Sequence, residues 1–232
     1  LESLAALDRA LDEYPDKAKA TGRLAAIKIG LAYRRRLDFE PASRQAAARA
    51  FSALRQGRKV KLKPLHDYLF HRTMQRAADM SLPVQIHTGY LSGNWSDITR
   101  GDPTPLIPVF RKYRSVRFDL FHASWPYTSM ACALGKQFPN VWLDMCWMWA
   151  MSPVRAERAL QEWLTSVPSN KVFAFGADTG SPFALVGYAA QARLGIARAL
   201  SGLVEQGHMD RSTAEFVARR IMHENAREFF GM

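Results

Sequence analysis

Short apolar runs alternate with longer amphipathic stretches along the chain from about residue 20 onward. The apolar runs are bounded by Pro, Gly or polar residues, which is typical of parallel strands that are buried on both faces. Five strands are predicted: Leu24–Gly30, Pro83–His87, Arg117–His122, Val141–Met145 and Val172–Ala177.

Helical patterns occupy the segments between these strands, and the opening twenty residues also follow a helical pattern with mixed charge. One helix is predicted from Pro41 to Gly57, because helices favour Pro at their start and Gly after their end. Ser212 is predicted to be the N-cap of the last helix. The other predicted helices are Pro64–Ser81, Tyr127–Phe138, Val154–Val167 and Phe183–Gln206. The last predicted helix, which Ser212 would cap, is Ser212–Phe230.

Alternating strands and helices predict an α/β fold with a parallel sheet. The 232 residues suit one large domain, which is slightly shorter than a full β/α barrel. Five strands cannot close an eight-stranded barrel, and a partial barrel leaves two strand edges unpaired. We therefore expect a missing N-terminal segment, another chain in a homo-oligomer, or the first helix to cover these edges.

Composition predicts a folded protein, since hydrophobic residues make up 48% of the chain. The two cysteines, Cys132 and Cys146, lie in apolar stretches and are expected to be buried thiols rather than a disulfide. The first residues lack the continuous apolar region of a signal peptide. The most apolar stretch, Val141–Val154, is too short to cross a membrane and contains Asp144. We expect a soluble, cytoplasmic protein with no membrane partner.

The formal net charge is +11, from 32 basic and 21 acidic residues. Such a charge is compatible with nucleic acid, with anionic substrates or simply with solubility. The basic residues are spread along the chain with one tight cluster, Arg34-Arg35-Arg36, and no nucleic-acid reader module accompanies it. We expect a small anionic substrate and no nucleic-acid partner.

Ionisable residues recur at the predicted strand ends. His87 ends VQIH, His122 ends FDLFH, Asp178 ends FAFGAD, and Lys28 stands near the end of AAIK. In parallel β/α folds the catalytic groups lie at these carboxyl ends. The placement predicts that the side chains meet at a common rim.

Imidazole and carboxylate groups are the usual protein ligands of a divalent ion such as zinc. A bound metal lowers the pKa of water from near 16 to roughly 7 and polarises a substrate oxygen. A neighbouring carboxylate can then move the proton. The residue types at the strand ends therefore favour metal-assisted chemistry.

Several segments in this order resemble the amidohydrolase-related superfamily, and within it the branch related to nodulin-like, glutamine-synthetase-linked amidohydrolases. The resemblance covers about residues 20–232. It is carried by IKIGLAYRRRL, LPVQIHTGY, FHASWPY, FPNVWLDM, FGADTGSP and ENAREFFG.

This resemblance implies a distorted TIM barrel, (β/α)8, of which the chain would form about strands four to eight. It implies that His87 is a metal ligand and that Asp178 is both a ligand and the proton acceptor for the attacking water. His122 would be a second ligand in two-metal members, or a hydrogen-bond donor and proton shuttle in one-metal members. Lys28 stands where some members carry a metal-bridging modified lysine.

The sequence departs from the family in one respect: it contains no His-x-His, the motif of strand one. His66 and His71 cannot replace it, because five positions on a helix separate them by roughly 140°. His87 and Asp178 alone offer two ligands, whereas catalytic zinc normally needs three. We therefore expect the first strands of the barrel to lie outside this chain, which would be one incomplete barrel domain over residues 1–232.

Substrate contacts are predicted just beyond the strand ends. Arg34, together with Tyr33, could clamp a carboxylate in bidentate fashion, or it could belong to a solvated basic loop. Trp95 and Trp125 could wall a pocket, while Trp147 suits the wall or the core equally well. Asp144 is expected to be structural.

The leading interpretation is a metal-dependent hydrolase of the amidohydrolase type, or a related non-oxidative decarboxylase. Zinc is the expected metal, with manganese as the second choice, and the substrate is a small anionic molecule. The alternatives are a catalytically inactive relative that serves as a binding module, and a nucleic-acid-binding protein that relies on the positive charge.

Overall fold

Five short strands form one parallel sheet, and they lie side by side in chain order. They belong to a computed structural model that describes residues 2–232. The predicted strands are all confirmed, although each is shorter than its apolar run. Their bounds are β1 Ile27–Ile29, β2 Val84–Ile86, β3 Phe118–Leu120, β4 Val141–Asp144 and β5 Val172–Phe173.

The register of the sheet separates an apolar face from a partly polar one. Ile29 aligns with Ile86, which aligns with Leu120. These residues pack in the main core together with the helices that follow the strands. The opposite face carries the alternate positions, because successive strand side chains point to opposite sides. Its aligned residues are Lys28, Gln85, Asp119 and Trp142.

Ten α-helices surround the sheet within residues 2–232. A π-helical turn over residues 220–224 joins the last two. The helix bounds are α1 Leu4–Ala20, α2 Arg44–Arg55, α3 Lys63–Asp79, α4 Ile107–Lys112, α5 Thr128–Gln137, α6 Met148–Met151, α7 Pro153–Ser166, α8 Pro182–Glu205, α9 Arg211–Arg219 and α10 Asn225–Phe230.

Two predicted helix starts are wrong. Helix α2 begins at Arg44 rather than at Pro41, because the Ser43 side chain accepts a hydrogen bond from the Ala46 amide and caps it. Helix α9 is capped by Asp210, whose side chain accepts from the Thr213 amide, rather than by Ser212. In both places a better capping geometry lies a few residues from the predicted one.

The sheet ends in two edges that no strand covers within residues 2–232. There β1 pairs only with β2, and β5 pairs only with β4. Helix α1 packs against α2 and α3 through a small second cluster that includes Leu4, Ala47 and Leu65. A cleft of about 370 Å³ remains between α1 and β1.

Other sequence predictions concern burial. Cys132 and Cys146 are buried free thiols, as predicted. No helix among residues 2–232 is long and apolar enough to span a lipid bilayer.

Candidate functional site

His87 and His122 meet at the carboxyl edge of the sheet. His87 follows β2 and His122 begins the turn after β3, so the parallel pairing of these strands brings the two rings together. Their Nδ1 and Nε2 atoms, respectively, lie 3.2 Å apart. His122 is fully buried and His87 nearly so.

The other nitrogen of each ring faces a backbone carbonyl. Nε2 of His87 lies 2.9 Å from the Tyr90 oxygen, and Nδ1 of His122 lies 3.1 Å from the Cys146 oxygen. A carbonyl oxygen only accepts hydrogen bonds, so these ring nitrogens carry the protons. The two facing nitrogens, Nδ1 of His87 and Nε2 of His122, are then both unprotonated, and each carries a lone pair. Carbonyl partners of this kind fix the tautomer of metal-binding histidines.

Asp178 adds a carboxylate to this pair. Its Oδ2 lies 3.6 Å from Nε2 of His122, and 52% of its side chain is exposed, against 0% for His122. The carboxylate therefore lies on the open side of the buried rings. The position of these three residues after apolar runs predicts that they share one rim, and the structure brings them together.

Burial keeps both imidazoles neutral. It lowers the pKa of His122 to about 3, with a further contribution from His87. The pKa of His87 is also lowered, chiefly by burial, against the opposing effect of the hydrogen bond that His87 donates to the Tyr90 carbonyl. At neutral pH the contact between His122 and Asp178 is therefore not an ion pair, and three electron-rich groups face one another.

Left-handed backbone conformations cluster at this edge. His122, Trp147 and Asp178 each follow a strand and have φ values of 62°, 64° and 43°. Non-glycine residues rarely adopt such angles, and they concentrate at functional sites. In the loop after β2, Thr88 donates a hydrogen bond to the Phe121 carbonyl at 2.7 Å and thereby ties that loop to the next one.

Aromatic side chains surround the histidines. The Tyr33 ring centroid lies 4.6 Å from that of His87, and the Trp147 ring lies 5.8 Å from His122. Tyr90, which no sequence pattern indicates as a site residue, lies between Trp125 and Trp147, with ring centroids 5.4 and 6.1 Å away. Trp95 is fully exposed and is not brought to this group.

Lys28 lies on the polar face of the edge strand β1 and is itself partly exposed. Its Nζ sits 3.1 Å from the centre of the Phe121 ring, and burial lowers its pKa. Gln85 on the next strand donates a hydrogen bond to Asp119 at 2.9 Å. Asp144 accepts a hydrogen bond from the Cys146 amide at 2.7 Å, which agrees with the structural role expected for it.

Arg34 points elsewhere. It lines a cleft between the loop after β1 and the start of α3, and the lining of that cleft includes none of His87, His122 and Asp178. Whether Arg34 contacts a substrate stays a prediction.

The donor set fits part of a metal site. Two nitrogen ligands on a tetrahedral zinc, each at roughly 2.0–2.1 Å, lie about 3.3–3.4 Å apart. The facing nitrogens of His87 and His122 are 3.2 Å apart. Within residues 2–232, however, no group of three or more His, Cys, Asp or Glu side chains is placed to hold a metal ion. These residues would therefore form an incomplete metal site, whose coordination water or ligands from elsewhere would have to complete.

Comparisons with known proteins agree with this picture. The sequence is similar to protein fluG of Emericella nidulans, with 31% identity over 169 residues, which are 67% of this chain and 19% of fluG. The fold is similar to that of a protein from Lactobacillus casei ATCC 334 that is assigned as a metal-dependent hydrolase, with a TM-score of 0.86 and 24% identity over 100% of this chain and 61% of that one. It is also similar to uronate isomerase from Thermotoga maritima, with a TM-score of 0.72 and 13% identity over 84% of this chain and 48% of that one.

The chain thus spans about a fifth of fluG and about three fifths of the Lactobacillus protein. Its five-stranded parallel sheet is consistent with a partial TIM barrel. The amidohydrolase family profile matches residues 5–232, nearly the whole sequence. The chain belongs to the amidohydrolase family.

Proposed function

We propose that this chain supplies the carboxyl-terminal part of an active site that hydrolyses a small anionic organic molecule, or decarboxylates it without oxidation. The observation that carries the proposal is the group formed by two neutral imidazoles, whose free lone pairs face each other, and the Asp178 carboxylate beside them. Membership of the amidohydrolase family supports a metal-dependent reaction.

His87 and Asp178 would hold a divalent metal, zinc before manganese, together with ligands that this chain does not provide. His122 would be a further ligand through the lone pair of Nε2, or this lone pair would accept a proton transiently during the reaction. Lys28 would contribute only if a modification extended it towards the rim. The metal, when bound, would lower the pKa of water and polarise a substrate oxygen.

The remaining roles follow from burial. Asp178 is the exposed member of the group and is therefore the residue that can accept a proton from water or substrate at Oδ2. His122 is fully buried and held by the Cys146 carbonyl, so it would orient the reacting groups rather than exchange protons with bulk water.

The aromatic side chains would bind the organic part of the substrate. Tyr33 packs on His87, and its hydroxyl lies 3.0 Å from the Ser92 hydroxyl, which fixes the ring at the site. Trp125 is half-buried beside Tyr90 and would form the adjoining wall. Trp95 and Arg34 would reach the same substrate only if their loops moved.

The second candidate function is that of an inactive binding module. The described residues leave the metal site incomplete, and that observation favours it. It predicts that the cluster has no measurable affinity for metal.

A zinc titration of the chain, monitored through the NMR signals of the histidine rings, tests the proposal. We expect the signals of His87 and His122 to shift together, and His87→Ala to abolish the shift at His122. His208→Ala is the matched control, because His208 is exposed at the end of α8 and its loss should change nothing. Unshifted His87 and His122 signals at millimolar zinc would favour the binding module.

A further inference from the structure

A second cleft lies beside the loop that follows β1. Its volume is about 610 Å³, which is within the range of small-molecule sites. It brings the Arg34-Arg35-Arg36 run next to Val60, Leu62, Lys63 and His66, which are distant in sequence. Four cationic side chains, those of Arg34, Arg35, Arg36 and Lys63, therefore line one cleft.

Two of its cations are already neutralised by acidic neighbours. Arg35 lies 2.6 Å from Asp67 and 3.0 Å from Asp38, and both contacts are to carboxylate oxygens. Lys63 pairs with Asp67 at 2.7 Å, with Glu40 at 3.0 Å and with Asp38 at 3.7 Å. These pairs hold the wall of the cleft in place, but they leave little charge for a ligand.

Arg34 and Arg36 are different. Both are exposed at the mouth of the cleft, and among residues 2–232 neither forms an ion pair. Two guanidinium groups that present fixed forks of N–H donors favour a ligand with several acceptor oxygens and about two negative charges.

His66 completes the polar lining. It is partly buried, and burial together with the charge of Arg35 lowers its pKa, against the weaker opposite effect of Asp67. Its neutral ring can donate one hydrogen bond, and a bound anion would favour the protonated ring. Val60 and Leu62 form the apolar part of the cleft and suit an organic group.

We propose that this cleft is a binding site for a small phosphorylated molecule, with Arg34 and Arg36 contacting the phosphoryl group. A phosphoryl group carries nearly two negative charges and three acceptor oxygens, which match the two unpaired guanidinium groups. The site is separate from the cluster of His87, His122 and Asp178, and the inference does not depend on the proposed function.

The experiment is calorimetric titration of the chain with inorganic pyrophosphate, in the presence of EDTA so that no metal contributes. We expect saturable binding that the double variant Arg34→Gln, Arg36→Gln weakens by at least about tenfold, because charge-assisted hydrogen bonds to both groups are lost. The matched control is Arg155→Gln, Arg158→Gln, which removes the same charge from exposed positions on α7 and should bind pyrophosphate as the unmodified chain does.

Equal weakening in both double variants would overturn the proposal, since it would show a response to net charge alone. Citrate that binds as tightly as pyrophosphate would overturn the assignment to phosphoryl groups. His87→Ala should retain pyrophosphate binding, so a failure of the proposed metal site leaves this result unchanged. In a parallel NMR titration the His66 signals should move with pyrophosphate, and unmoved signals would count against the cleft as the location.

Discussion

At the residue scale, two buried carboxyl groups lie on the polar face of the sheet, those of Asp119 and Asp144. Burial raises the pKa of Asp144 to about 7 and that of Asp119 well above its usual range. Oδ1 of Asp119 has no hydrogen-bond partner within the described part of the chain. Both groups therefore oppose folding when they ionise, whereas the lowered pKa of His122 makes its neutral form the one that favours folding.

These opposite effects allow a test with Asp144→Asn. The folded-state pKa of Asp144, about 7, lies above the usual 3.8, so its favourable contribution is present below pH 3.8 and is lost as the pH rises towards 7. The variant keeps an oxygen for the Cys146 amide but cannot ionise. We expect its unfolding free energy, relative to the unmodified chain, to increase by roughly 1–4 kcal/mol between pH 4 and pH 7 in urea unfolding. His122 titrates alike in both proteins and cancels in the difference. Removing the Asp144 charge also lowers the raised pKa of Asp119, which changes the difference in the same direction.

The control for this prediction is Asp79→Asn, which removes an exposed carboxylate from α3. The difference in unfolding free energy between this variant and the unmodified chain should change little with pH, because water still surrounds that position in the folded state. A flat difference for Asp144→Asn as well would show that Asp144 is not the carboxyl group that opposes folding.

The same scale shows what the sequence can reveal about a site. His87, His122 and Asp178 could be predicted because each follows an apolar run, and parallel pairing forces strand ends to one edge. The carbonyls of Tyr90 and Cys146, which fix the two tautomers, could not be predicted. They are backbone groups, and any residue type at those positions supplies the same atom.

At the scale of elements, two loops of the candidate site touch through Gly89. This glycine follows β2 and has a φ of 70°, and a Cβ at this position would collide with the backbone of Ser124 and Trp125. The hydroxyl groups of Ser124 and Thr88 also form a hydrogen bond of 2.8 Å. The loops after β2 and β3 thus form one unit that carries both histidines.

Gly89→Ala should therefore be strongly destabilising, by roughly 2–4 kcal/mol, as the sum of left-handed strain and a collision that backbone atoms cannot avoid. Gly57→Ala separates the two effects: its φ is 67° and open space surrounds it, so about 1 kcal/mol of strain is expected. Thermal unfolding measures both. Equal losses of stability in the two variants would mean that the close approach of the loops after β2 and β3 does not contribute to the cost of Gly89→Ala.

The order and direction of the strands could be predicted from apolar runs, but the segment between β2 and β3 could not. It contains short helical turns and α4, and three prolines, Pro103, Pro105 and Pro108, interrupt any helical period there. The helix starts at Ser43 and Asp210 were also missed, because neighbouring residues have similar capping propensity and only tertiary packing selects among them.

At the scale of the whole molecule, the exposed edge of β1 is the main structural liability. The backbone groups of Ile27 and Ile29 face β2. The Ile27 amide donates a hydrogen bond to the Pro83 carbonyl, and the Ile29 carbonyl accepts one from the His87 amide. The alternate residue, Lys28, therefore directs its amide and carbonyl to the outer edge. Its inward-pointing charge is one of the devices by which proteins discourage pairing at such edges.

We expect the chain to self-associate through this edge as its concentration rises, which sedimentation velocity can follow over a dilution series. Lys28→Pro removes the outward amide while the pairing with β2 is kept, because proline is tolerated where an edge strand faces solvent; this variant should associate less. Lys28→Ala is the matched control: it removes the same charge but keeps the amide, so it should associate at least as strongly as the unmodified chain. Circular dichroism confirms that each variant folds. Equal association of the two variants would exclude β1 as the contact, and a chain that stays monomeric throughout would mean that α1 already protects the edge.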